Sequence, residues 1–113
     1  MIPRNARTDF RVDVALSVTL EAETIRGTTV NLGLGGTLIA SAEPLRLGSV
    51  AQFQIQLPGN VSVSGLCRVG RRPDACHIAV NFYRMDAPSR AHLSSFLLGY
   101  QAELRRAARE EPQ

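Results

Sequence analysis

The chain has 113 residues, of which 44% are hydrophobic and 20% charged, ordinary globular proportions that exclude a wholly disordered or collagen-like chain. That length allows one domain with one modest core. The net charge is +3, no apolar run approaches the roughly 20 residues that cross a bilayer, and the first residues lack the apolar stretch of a signal peptide, so a cytosolic location is expected.

All 13 basic residues are arginine, a choice suited to planar, bidentate recognition. Residues 1–11 carry Arg4, Arg7 and Arg11 against Asp9, a balance of +2, whereas residues 12–113 carry 10 arginines against 9 acids, or +1. The reading is a flexible, arginine-bearing N-terminal arm on a nearly neutral body. From Val12 to Leu20 apolar residues alternate with Asp13, Ala15, Ser17 and Thr19, the period of one half-buried strand. Further strands are expected over Thr24–Leu32 and Thr37–Ser41, joined by Gly33-Leu34-Gly35-Gly36, where left-handed or otherwise strained backbone is cheap. Leu45–Gly48 reads as a loop. Ala51, Phe53, Ile55 and Leu57 alternate with three glutamines, Pro58-Gly59-Asn60 makes a turn, and a hairpin partner follows at Val61–Val69. Arg71-Arg72-Pro73-Asp74 breaks the pattern before Ile78, Val80 and Phe82 resume it.

Asp86 is then a candidate N-cap with Pro88 in the first turn, and Leu93, Phe96, Leu97, Tyr100 and Leu104 recur at helical spacing, a stripe read as core packing. About six short antiparallel strands and one helix predict a mainly β fold: a six-stranded, Greek-key-like barrel with a C-terminal helix, because closure removes aggregating edges. An open sheet with the helix on one face is the second choice. The domain is expected over residues 12–109, with a frayed tail at 110–113.

Support for chemistry is thin. Cys67 and Cys76 are too few for a disulfide framework or a four-cysteine zinc site and read as buried thiols. His77 and His92 lack metal-protease spacing, so no metal site is expected. No Gly-x-Ser-x-Gly elbow is present, and the glycine-rich loop leads into a strand, unlike the helix a dinucleotide-binding loop requires. No catalytic residues are expected. With no Trp, 2 Tyr and 4 Phe, a stacking platform for single-stranded nucleic acid is also poorly furnished.

Two short motifs carry more. Arg7-Thr8-Asp9-Phe10-Arg11 places two arginines separated by three residues just before the first strand, and Asn31-Leu32-Gly33-Leu34-Gly35-Gly36 follows at the next turn. In order, separation and strand context they resemble the PilZ family, bacterial domains that bind cyclic di-GMP, whose pattern is Arg-x-x-x-Arg and then Asp/Asn-x-Ser-x-x-Gly. Ile78-Ala79-Val80-Asn81-Phe82 followed by an amphipathic helix resembles the family's ending. The resemblance implies that Arg7, Arg11, Asn31 and Gly36 contact cyclic di-GMP, bound singly or as an intercalated dimer, with Arg4 as a further candidate phosphate contact. The chemistry agrees: an arginine fork suits a phosphate or the O6/N7 edge of guanine, and a carboxamide oxygen can accept from guanine N1–H or N2–H₂. Gly33 stands where the family has serine, so a hydroxyl is missing, although the Gly33 N–H remains a donor. Gly33→Ser is accordingly expected to leave affinity unchanged or to tighten it.

The resemblance therefore implies a cytosolic receptor that orders its arm on binding cyclic di-GMP and signals to a protein partner that the sequence does not name. The alternative is a PilZ-like adaptor that has lost the ligand through Gly33. A single-strand nucleic-acid barrel is disfavoured by the +1 body. Monomer and homodimer are both compatible with the sequence.

Overall fold

The computed structural model describes residues 10–21, 24–43 and 45–110. The seven strands are β1 (Arg11–Val12), β2 (Ser17–Leu20), β3 (Ile25–Gly33), β4 (Gly36–Ala40), β5 (Val50–Leu57), β6 (Val61–Asp74) and β7 (His77–Met85). A single helix, α1 (Ala87–Glu110), follows. Antiparallel pairing runs β3-β2-β5-β6-β7-β4, and β4 pairs back onto β3. This is a closed six-stranded barrel, and β1 is an extra strand on the end of β3. Closure excludes the open-sheet alternative.

Alternation explains the interior. β5 turns Ala51, Phe53, Ile55 and Leu57 inward and its glutamines outward. Val18, Leu20, Leu32, Ile39, Val63, Cys67, Val69, Ile78 and Val80 join them in the core, where Phe53 stacks on Phe82 with centroids 4.8 Å apart. The β5–β6 turn puts Gly59 and Asn60 at φ of +83° and +63°, the region glycine and asparagine tolerate best. Burial pushes the Cys67 thiol up to about 11. Cys76, expected to be buried, is exposed in the β6–β7 turn, outside the barrel wall.

The expected first strand is interrupted. β1 pairs with β3 through Arg11↔Gly33 and Val12↔Leu32, while β2 pairs through Ser17↔Thr28, so the register slips by one residue across positions 13–16. The buried Thr29 hydroxyl bridges the gap: it accepts from Leu16 N–H at 2.9 Å and donates to the Val14 carbonyl. A second irregularity lies opposite, where the β3–β4 register shifts between Thr29 and Asn31. Conversely, β6 does not stop at Val69. It continues to Asp74 with register shifts against β7, so the segment expected to break the sheet extends it. His77 Nδ1 lies 2.8 Å from Asp74 and, with the Cys76 N–H, holds that carboxyl below its ordinary range.

Asp86 caps α1, accepting from Ser89 N–H at 2.8 Å. Ser89 Oγ accepts from Ser64 N–H at 3.1 Å, and Tyr100 donates to the Asp13 carbonyl at 3.0 Å, fixing the helix to β6 and to the β1–β2 connection. Leu93 and Leu97 are buried, but Leu104 is 53% exposed. It does not extend the core stripe, because residues 102–108 are exposed throughout. No helix among the described residues is long and apolar enough to cross a membrane.

Candidate functional site

The site lies where β1 crosses the end of β3. In an antiparallel pair, a long side chain can reach its diagonal neighbour two residues along on the same face. Arg11 is opposite Gly33, so its diagonal neighbour is Asn31. The Arg11 guanidinium donates from Nη1 to Asn31 Oδ1 at 2.8 Å, and its Nη1 lies 3.4 Å from the Gly36 carbonyl O. Three of the residues singled out from sequence thus meet around one guanidinium. Arg4 and Arg7 lie outside the described residues.

Local irregularity makes this meeting possible. Thr29 faces the core opposite Ile39, and Leu32 faces it opposite Thr37, two positions of opposite parity. The bulge between them reconciles the pattern by leaving Val30 38% exposed and turning Asn31 outward. Without that extra residue, Asn31 would share the inward face of Thr29. The Asn31 carbonyl is held separately, by the Thr37 hydroxyl at 2.6 Å.

The glycines act through missing side chains. A Cβ on Gly33 would lie 2.8 Å from the Phe10 carbonyl O and 3.1 Å from Arg11 Cγ. Gly33 therefore lets β1 and the Arg11 stem lie flat across β3. A Cβ on Gly36 would overlap the Val80 carbonyl O of β7, so Gly36 serves a close strand approach. Gly33, Gly35 and Gly36 are absent from the positive-φ residues, which among the described residues are Glu21, Gly48, Gly59 and Asn60. The backbone at these three glycines is not left-handed, one of the conformations expected for the turn; closeness of neighbouring strands is the reason for glycine at 33 and 36.

Two residues not singled out from sequence lie nearby. Arg71 and Asn81 line a cavity of about 250 Å³ together with Arg11, Gly70 and Ala79. The signal was hidden because Arg71 faces outward opposite Ala79 only if β6 runs past Val69. Phe10 borders a separate cavity of about 420 Å³ with Leu34, Gly35, Arg90 and Leu97, so the chain next to Arg11 faces a space shared with the turn and α1. A larger cleft, about 490 Å³, runs over β2, β5 and β6 and is lined by residues such as Thr19, Gln54 and Gly65, with no charged side chain.

A closed barrel with an arginine laid over a glycine turn, and a helix beside it, defines a small β-barrel binding domain. A family model described as PilZ domain matches residues 3–99, and the chain belongs to that family. PilZ domains are receptor and adaptor domains, and cyclic di-GMP binding is typical of them. No curated protein matches in a sequence comparison. Among solved structures, the Bacillus subtilis inhibitor of motility MotI/DgrA is similar at a TM-score of 0.72 with 21% identity, over 82% of this chain and 49% of that one. The chain thus spans about half the length of that protein. The PilZ domain of CeSA from a cellulose-synthesizing bacterium gives a TM-score of 0.62 with 13% identity, over 81% and 98% of the two chains. An uncharacterized Legionella protein gives 0.54 with 17% identity, over 86% and 97%. These structures establish the fold.

Proposed function

We propose that this protein is a cytosolic receptor for cyclic di-GMP that performs no chemistry and passes the binding event to a protein partner. The observation that carries the reading is the Arg11–Asn31 hydrogen bond of 2.8 Å beside Gly36, which unites two motifs twenty residues apart on one surface. Asn31 aims the Arg11 fork, so less side-chain freedom is lost when it engages a phosphate or guanine edge. Arg7, at i−4 from Arg11, completes the grip from the arm, with Arg4 a further phosphate contact.

Transmission follows from adjacency. Phe10, next to Arg11 in the chain, borders the Leu34–Gly35 turn and the Arg90–Leu98 face of α1, so a change at Arg11 is made beside both. Binding that orders arm residues must offset about 1–2 kcal/mol of backbone entropy for each, and the ordered arm then changes the surface offered to the partner.

Titration calorimetry with cyclic di-GMP tests the reading. Arg11→Ala and Arg7→Ala are each expected to weaken binding about thirtyfold, the usual order for losing a charged contact of at least ~2 kcal/mol. Both variants should keep the wild-type melting temperature. A folded wild-type protein that takes up no cyclic di-GMP at high micromolar concentration would instead identify an adaptor without this ligand.

A further inference from the structure

We propose that Arg71 and Asn81 form a second wall of the ligand seat, opposite Arg11, with Arg71 binding an anionic phosphate edge of the cyclic dinucleotide and the Asn81 carboxamide hydrogen-bonding the adjoining base. This rests on the receptor reading above and assigns residues outside the two arm and turn motifs.

Strand register sets the spacing. Arg71 is opposite Ala79 of β7, Ala79 is opposite Leu38 of β4, and Leu38 is opposite Asn31 of β3. Closer to the arm, Gly36, whose carbonyl O lies 3.4 Å from Arg11 Nη1, is opposite Asn81 of β7, so Arg11 shares one cavity with Asn81 and Arg71. Gly70 and Ala79 line that cavity beside both arginines. A Cβ on Gly70 would come within 2.8 Å of Asn81 Nδ2, so the carboxamide lies over that glycine at the cavity.

Hydrogen-bonding capacity points the same way. The Arg72 guanidinium is occupied by the carbonyls of Glu43 and Ala75, and Arg68 lies over the Tyr83 ring at 5.0 Å. The side chains of Arg71 and Asn81 have no hydrogen bond or ion pair among the described residues. No acidic residue stands on β4 or β7 to oppose an incoming anion. The seat therefore offers a fork and a donor–acceptor pair, which matches a phosphodiester next to a purine edge.

The test is calorimetric titration of the full chain with cyclic di-GMP, comparing Arg71→Ala, Arg71→Lys and Asn81→Ala with wild type. Arg11→Ala reports the side of the seat proposed above, and Arg26→Ala, an exposed arginine elsewhere on β3, controls for loss of one positive charge. Arg71→Ala is expected to weaken binding at least about tenfold, Arg71→Lys to recover part of that loss, and Asn81→Ala to weaken binding severalfold. Melting temperatures should stay at the wild-type value. Wild-type binding that is lost in Arg11→Ala but unchanged within twofold in Arg71→Ala overturns this inference alone. Equal losses in Arg71→Ala and Arg26→Ala also overturn it, by reducing the effect to net charge. Absence of binding by the wild type overturns the receptor reading and this inference together.

Discussion

At Gly33 the missing side chain matters twice, and the two effects oppose each other. A serine hydroxyl there would add a ligand contact worth roughly 0.5–1.5 kcal/mol if neutral. The same substitution would set a Cβ 2.8 Å from the Phe10 backbone oxygen, a contact that no side-chain rotation relieves. Overpacking of this kind costs about 1–3 kcal/mol and would lift β1, which carries Arg11, off β3. The steric term wins. Gly33→Ser is therefore expected to weaken cyclic di-GMP binding severalfold and to lower the melting temperature by a few degrees, reversing the expectation of equal or tighter binding. Calorimetry and a thermal melt on the same preparation check both parts.

At the scale of elements, the regular stretches were legible and their defects were not. Alternation over Ala51–Leu57 identified β5 because each side chain's direction depends only on its own strand. Alternation over Val12–Leu20 concealed a break, since Val14 and Leu16 remain half-buried beside it and the bridging hydroxyl comes from Thr29 on another strand. The register shifts in β6 were hidden likewise, because arginines and a proline resemble a turn until β7 pairs with them. α1 was legible from its cap and its apolar spacing, but the stripe ends before Leu104 because the barrel no longer lies beneath it. Within α1, a Cβ on Gly99 would meet nothing within 4 Å. Gly99→Ala should therefore stabilise the protein by about 0.8–1 kcal/mol through helix propensity alone. A melting temperature higher by about 4 °C in calorimetric scans is the expected result.

Over the whole molecule, closure sorts the two cysteines. Cys67 is 0% exposed inside the barrel, with its thiol pushed up to about 11, whereas Cys76 is exposed in the β6–β7 turn. Alkylation at pH 8 should modify the exposed Cys76 and leave Cys67 protected until the barrel opens, because thiolate is the reactive form and Cys67 lacks both access and ionisation. Mass spectrometry after timed iodoacetamide exposure checks this. Added denaturant should raise Cys67 labelling in step with loss of barrel structure, since an interior residue of a closed sheet is released only by global opening.

By itself the sequence determined most of the strands, the helix and the motif-bearing positions. Composition, two-residue alternation, helical spacing and turn chemistry are all written within a few neighbouring residues. Tertiary structure alone decided that β4 returns to β3, that a bulge turns Asn31 outward, and that Arg11 and Arg71, sixty residues apart, line one cavity. Those features depend on register between distant strands. A shift of one residue exchanges the two faces of a strand, and only the closed barrel determines which register holds.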